Sequence, residues 1–116
     1  MVIAKIYRSY DGRITGFDIS GHSGYDQWGR DIVCAGVSAV AQTALIGLLR
    51  HLPIQPDYNQ DDAYLRCELP SGLEESDREK AEIILSTLEA GLMALEASYP
   101  EYVKIFKQGG ADDVQN

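Results

Sequence analysis

Hydrophobic and polar positions alternate at the start of the chain. In Val2 to Arg8, Val2, Ala4 and Ile6 fall on one side and Ile3, Lys5 and Tyr7 on the other, the period of a half-covered β-strand. Tyr10-Asp11-Gly12-Arg13 follows, and Asp-Gly is a favoured pair for a tight hairpin turn. The return strand, Ile14 to Ser20, sets Thr15, Phe17 and Ile19 on one face. From Ile32 to about Leu52 the pattern becomes a helix that is apolar on most sides, through Val33, Ala35, Val37, Val40, Ala41, Ala44, Leu45, Ile46, Leu48 and Leu49. Its polar exceptions Cys34, Ser38 and Gln42 are spaced by four and form one stripe.

Pro53 stops that helix and Pro56 keeps the next segment extended. Residues 54–60 read as an edge strand, Gln60-Asp61-Asp62 as a turn, and Ala63, Leu65, Cys67 and Leu69 alternate inward on a further strand. Cys67 is thereby expected to be a buried structural thiol. Ser76 and Glu79 have the spacing of a capping box. Ala81, Ile84, Leu85, Leu88, Leu92 and Leu95 then trace the apolar face of a helix running to about Ser98. Glu74, Glu75, Asp77, Glu79 and Glu82 crowd its start, where negative charge suits the helix dipole. Tyr102 to Phe106 is a short last strand, and Gly109 to Asn116 a polar tail. The predicted fold is α+β, a small single domain over residues 1–108 in the order ββαββαβ. Its sheet is mostly antiparallel and packed against two helices.

Composition narrows the partners. Ten basic against eighteen acidic residues leave a net charge of -8. Nucleic-acid binding needs a basic footprint and is disfavoured, whereas encounter with a basic partner is favoured. The same charge also serves solubility. No apolar run reaches the ~18–20 residues free of polar groups that a membrane span needs, and MVIAKIYRSY lacks a signal-peptide layout. Two cysteines without a short-spaced partner point to a reducing compartment. A cytoplasmic protein without membrane association is expected. One small sheet cannot cover a helix apolar on most sides, so a homodimer through that first helix is expected as well.

The chemistry concentrates in Ser20 to Ser38, SGHSGYDQWGRDIVCAGVS, which holds His22 and Cys34. Gly21, Gly24 and Gly29 make the connection pliable, and with Ser23, Tyr25 and Trp28 they form a candidate flap and substrate-binding loop. Trp28 reads equally well as a core anchor in a loop. With Asp31 as N-cap, Cys34 is the third helical position. A free thiol titrates near ~8.5, and the positive end of a helix dipole favours the nucleophilic thiolate. A histidine alongside would stabilise that thiolate and act as general acid and base, and N–H groups of the turn would help hold an oxyanion. The Asp31 charge opposes thiolate formation unless it points away or holds His22, so capping is its first expected role and orienting the histidine its second. Ser38 either bonds into the turn that carries Cys34 or, as serines within helices commonly do, back to the carbonyl four residues earlier. His51 at the helix end suits the dipole from a solvated position. A metal would require His22, Cys34 and either Cys67 or His51 to converge, and their spacings match no zinc pattern. No metal or cofactor is expected.

The strings ITGFDIS and GHSGYDQWGRDIVCAGVSAV resemble the ribosomal-processing cysteine proteases called Prp, or YsxB-like proteins. That family's pattern is a G-H-(small) at a strand end, a variable loop, then D-I-V-C-A-(small)-V-S opening a helix. It appears here as Gly21-His22-Ser23 and Asp31-Ile32-Val33-Cys34-Ala35-Gly36-Val37-Ser38, with Ser23 and Gly36 where alanine is more usual. The resemblance implies a catalytic pair, Cys34 and His22. It also implies a substrate, the large-ribosomal-subunit protein numbered twenty-seven, trimmed of an N-terminal extension. The alternative is a non-catalytic dimeric peptide-binding or ribosome-assembly factor using the same groove, in which Cys34 has no need to react faster than Cys67.

Overall fold

The computed structural model describes residues 1–27 and 31–109. Its elements are β1 (Val2–Arg8), β2 (Ile14–Ser20), α1 (Ile32–His51), β3 (Asp57–Asp61), β4 (Tyr64–Glu68), α2 (Glu75–Ser98) and β5 (Val103–Gly109). The strands form one sheet in the order β3-β4-β2-β1-β5. The β1–β5 pair is parallel and the other pairs are antiparallel. This is the mixed, mostly antiparallel ββαββαβ sheet with two helices that the residue pattern predicts.

One core joins the layers. Val2, Ala4, Ile6, Phe17, Ile19, Leu65, Cys67 and Val103 from the strands meet Val33, Val37, Leu45, Leu48, Leu85 and Leu92 from the helices. Their burial removes enough apolar surface to hold both helices on one side of the sheet. Lys5, Asp18, Tyr64 and Arg66 are half-buried on the opposite side, where the Tyr64 hydroxyl reaches Asp18 at 3.4 Å.

Several local expectations change. The first hairpin closes with Ser9 N–H donating to the Arg13 carbonyl and Gly12 N–H to the Ser9 carbonyl, with Gly12 at φ +88°. That is a three-residue loop with glycine in the left-handed position rather than the tightest turn. Tyr7 pairs with Gly16 but Arg8 pairs with Ile14, so Thr15 is the extra residue of a β-bulge. The slip turns both Ile14 and Phe17 into the core. Thr15 therefore does not share their buried face. The edge strand runs 57–61 rather than 54–60, and Asp62-Ala63 make its turn. Ala63, at φ +54°, is a left-handed turn residue and not a strand position.

The capping box at Ser76 and Glu79 does not form. Helix α2 starts at Glu75, with Glu74 as an N-cap that makes no side-chain cap bond. The Glu74 carbonyl already accepts the N–H groups of Asp77 and Arg78, so the first turn closes upstream of Ser76. Glu75 also engages Arg13. At the other end β5 includes Gly109, one residue into the expected tail, while 110–116 lie outside the described residues. Helix α1 is long and apolar enough to cross a membrane by length and composition alone, with mean hydropathy 2.0 over its window. One side of it is nevertheless committed to the core through Val33, Val37, Ala41, Ala44, Leu45 and Leu48.

Three acidic residues of α2, spaced by seven and hence on one face, latch the helix to the sheet. Glu82 accepts the Ile14 N–H at 2.8 Å, Glu89 takes the Arg8 guanidinium at 2.7 Å through both oxygens, and Glu96 accepts the Ile105 N–H at 2.8 Å. Glu82, read from sequence as part of a solvated helix start, thus satisfies a backbone donor beside the bulge. The Arg8 and Glu89 side chains are 22% and 12% exposed, so water competes little for the pair. Glu89→Ala strands a largely buried guanidinium. We expect a loss of about 1.5–3 kcal/mol in the denaturant-unfolding free energy, and a change within error would show that α2 is held by its apolar face alone.

Candidate active site

The site forms where the end of β2 meets the start of α1. Gly21 follows Ser20 at φ +94°, and its N–H donates to the Ala63 carbonyl at 2.9 Å. A Cβ at Gly21 would overlap the Met1 carbonyl. Only glycine suits a backbone both left-handed and this closely approached. The strand end is thereby pinned between β1 and the β3–β4 hairpin, and His22 leaves it at a fixed point. The His22 carbonyl accepts from the Met1 nitrogen. Its side chain is exposed, and among the described residues none hydrogen-bonds to the imidazole.

Asp31 caps α1 with extended backbone, φ -79° and ψ 97°. Its Oδ1 accepts the Cys34 N–H at 2.8 Å, and its Oδ2 accepts the Ser23 hydroxyl. Ser23 is the buried polar residue of the loop, 3% exposed. Its Oγ accepts the Tyr25 N–H at 3.1 Å, and its own N–H donates to the Cys34 sulfur at 3.1 Å. Burial works to raise the Asp31 pKa, but the Ser23 hydroxyl, the Cys34 N–H and thiol and the Asp26 N–H outweigh it and hold the carboxyl at about 2. Cys34 is half-buried, open to the groove on one side.

That groove has a volume of about 660 Å³. His22, Cys34, Ser38 and Gln42 lie along it, Val37 and Leu65 contribute apolar lining, and Asp61 to Tyr64 of the β3–β4 hairpin line it too. The expected stripe of Cys34, Ser38 and Gln42 therefore faces one cavity. Ser38 makes neither of its expected bonds; its hydroxyl accepts from the Gln42 side chain at 2.9 Å. Gly21 and Gly24 also line the groove. Tyr25 instead sets its ring edge-on to Tyr99 and Tyr102, at 5.7 and 5.2 Å between centroids. Trp28 and Gly29, the rest of the expected flap, lie outside the described residues. Cys67 is buried away from the groove, its thiol pushed up to about 12 by desolvation. His51 lines a separate depression between α1 and α2.

Sequence reasoning missed the hairpin wall, because nothing local in Asp61-Asp62-Ala63 announces that β4 pairs with β2. Sequence pattern alone assigns no role to Gln42. Its four-residue spacing from Ser38 was the available signal.

The geometry is that of a thiol held at a helix start beside an open peptide-sized groove, the arrangement of a cysteine hydrolase. The family described as Cysteine protease Prp matches residues 1–104. The ribosomal processing cysteine protease Prp of Bacillus subtilis (strain 168) is 31% identical over 107 residues, covering 90% of this chain and 96% of that one. Its namesake from Staphylococcus aureus (strain Mu50) is 32% identical over 108 residues, covering 90% and 97%. A crystal structure of the essential ribosomal processing protease Prp from S. aureus, with a covalently linked product peptide, superposes with a TM-score of 0.82. It is 26% identical and covers 93% of this chain and all of that one. The same protease with a substrate peptide gives 0.77 at 25% identity, with the same coverage of both chains. The chain belongs to the cysteine protease Prp family.

The depressed Asp31 carboxyl makes the cap pH-dependent. A group whose folded pKa lies below its unfolded value, ~3.9 for aspartate, stabilises fully above that value and loses its contribution as pH falls through the folded one. We expect Asp31→Ala to cost about 1 kcal/mol above roughly pH 4. The gap to wild type should narrow towards pH 2. Parallel denaturant titrations across that range check this, and a gap independent of pH would contradict it.

Proposed function

We propose that this chain is a cysteine endopeptidase that removes the N-terminal extension of large-ribosomal-subunit protein twenty-seven, with Cys34 as nucleophile and His22 as general acid and base. The observation that carries the reading is that His22 and Cys34 line one groove, with the sulfur at the third position of a helix capped by Asp31. The Cys34 thiolate attacks the scissile carbonyl carbon, forming a C–S bond and an oxyanion. First-turn N–H groups steady that oxyanion, other than the Cys34 N–H, which Asp31 already engages. His22 gives its proton to the leaving amine as the C–N bond breaks, and then takes one from the water that hydrolyses the thioester. Asp31 acts as the cap, since its carboxylate bonds Ser23 and Cys34 and not His22.

That the substrate is a ribosomal protein is supported by the relatives' names and by the charge of the groove, and its identity as protein twenty-seven by the family resemblance alone. Asp26, Asp31, Asp61 and Asp62 line the groove, and no lysine or arginine is among its described lining residues. A basic extended peptide is the complementary ligand. We also infer a cytoplasmic homodimer that binds neither nucleic acid nor membrane. Ile46, Leu49, Ile83 and Met93 lie exposed on the two helices, and a second copy would cover them.

Cys34→Ala should fold as wild type and abolish cleavage of a peptide spanning the extension, and retained turnover would remove the peptidase reading. In the wild type, an alkylating reagent at neutral pH should modify Cys34 well before the buried Cys67. Equal rates would favour a binding module. Ile46→Glu should convert the dimer to monomer in sedimentation at micromolar concentration, whereas a wild type already monomeric there would end the dimer assignment.

A further inference from the structure

The loop that carries His22 has an attachment outside the groove. Gly24 and Asp26 line the groove, whereas the Tyr25 ring between them meets two rings of the turn joining α2 to β5. Tyr99 is the C-cap of α2 and Tyr102 directly precedes β5. Both are half-buried against the core, so they offer the loop a fixed surface. The Tyr25 plane stands 82° from that of Tyr99 and 80° from that of Tyr102, the edge-to-face geometry in which ring quadrupoles attract. Among the described residues none hydrogen-bonds to any of the three hydroxyls. The contact is one of rings alone. Tyr102 is tied in turn to the other end of the segment. Its carbonyl accepts the Val2 N–H at 2.9 Å, and the adjoining Met1 nitrogen donates to the His22 carbonyl. Residues 22–25 are thus held at both ends by one rigid block, the start of β1 with the turn into β5. Between those ends the Ser23 N–H meets the Cys34 sulfur at 3.1 Å, and the Ser23 Oγ accepts the Tyr25 N–H.

We propose that Tyr25, seated on Tyr99 and Tyr102, is a positioning residue that holds the His22–Ser23 segment in place against Cys34. The inference deepens the peptidase reading and rests on it for the effect on turnover, while the placement of the segment can be read without any substrate. An acid–base group carried on a loop works only in those arrangements where it meets the nucleophile and the scissile bond. Each contact that narrows the loop's range raises the share of productive arrangements. Since ring edges and faces make the contact, phenylalanine should replace Tyr102 without loss, and an aliphatic side chain should not.

The test measures peptide cleavage and NMR amide hydrogen exchange side by side in wild type, Tyr25→Ala, Tyr102→Phe, Tyr102→Leu and the Tyr25→Ala/Tyr102→Leu double variant. Tyr25 is exposed, so its truncation takes nothing from the core. Tyr25→Ala should lower kcat about two- to tenfold, the worth of one edge-to-face pair. KM should stay near the wild-type value, because the ring is not among the described groove-lining residues. Exchange at the Ser23 and Tyr25 amides should quicken by a similar factor, with the β2 amides unmoved. Tyr102→Leu should act alike, Tyr102→Phe should match wild type, and the double variant should lose no more than Tyr25→Ala. A merely structural role of Tyr102 would instead quicken exchange through β1 and β5 and add to the effect of Tyr25→Ala. That additivity, or unchanged exchange at Ser23, overturns the proposal. A raised KM at constant kcat does so too, since it would make Tyr25 a substrate contact. If the wild type cleaves no peptide, the peptidase reading fails on its own, and the exchange pattern still decides the role of Tyr25.

Discussion

The arrangement of the site depends on how one carboxylate is shared. Asp31 gives one oxygen to the backbone of α1 and the other to the loop leaving β2. A helix start has N–H groups with no intrahelical partner, and a loop crossing close to it brings polar groups that must also be satisfied. A single short acidic side chain does both here. The helix start and the loop leaving the strand end are thus joined by hydrogen bonds to one group, beside the core packing of Ile19 and Val33. The Ser23 N–H then lies against the sulfur.

The rest of the fold keeps that junction in place. Gly21 closes onto the Ala63 carbonyl, so the strand end cannot swing without disturbing the hairpin that walls the groove. Ala63 itself adopts a backbone conformation that costs a non-glycine residue roughly 1–2 kcal/mol. The sheet pairing on both sides of that two-residue turn supports the cost. Farther off, the acidic face of α2 satisfies backbone donors at the bulge in β2 and in β5, and holds Arg8 from β1. These bonds use side chains of the sign that an acidic chain has in excess. Charge that would otherwise only repel is built into the contact between layers.

Electrostatics divides between scaffold and groove. On the scaffold, carboxylates meet guanidinium and amide groups and are satisfied. Along the groove, Asp26, Asp61 and Asp62 are exposed. A field of one sign in a concave site attracts a ligand of the other sign. Close to Cys34 the same sign is unfavourable, because a carboxylate beside a thiol opposes its ionisation. Binding a basic peptide and ionising a cysteine therefore make opposite demands on nearby acids. Asp31 itself is engaged on both oxygens, by the Cys34 N–H and the Ser23 hydroxyl.

Much of this was legible in the residues alone. The alternation of Val2, Ala4 and Ile6 and the apolar spacing from Ala81 to Leu92 fix strands and helices, because burial of one face dictates the period. His22 and Cys34 could be placed at the two ends of one connection, between a hairpin end and the following helix start, and Asp31 was identifiable as a cap from its type and place. The bulge at Thr15, the start of α2 before Ser76 and the left-handed Ala63 were not legible. Each is settled by a partner distant in sequence: Glu82 for the bulge, Arg13 for the helix start, and Gly21 with the β4 pairing for the turn. Sequence by itself determined the strand and the helix that flank the loop carrying His22 and Cys34. Tertiary structure alone decided what else surrounds them, from the hairpin wall to the buried Ser23 hydroxyl. Local propensity acts over a few residues, whereas the satisfaction of a buried polar group depends on whatever the whole fold sets beside it.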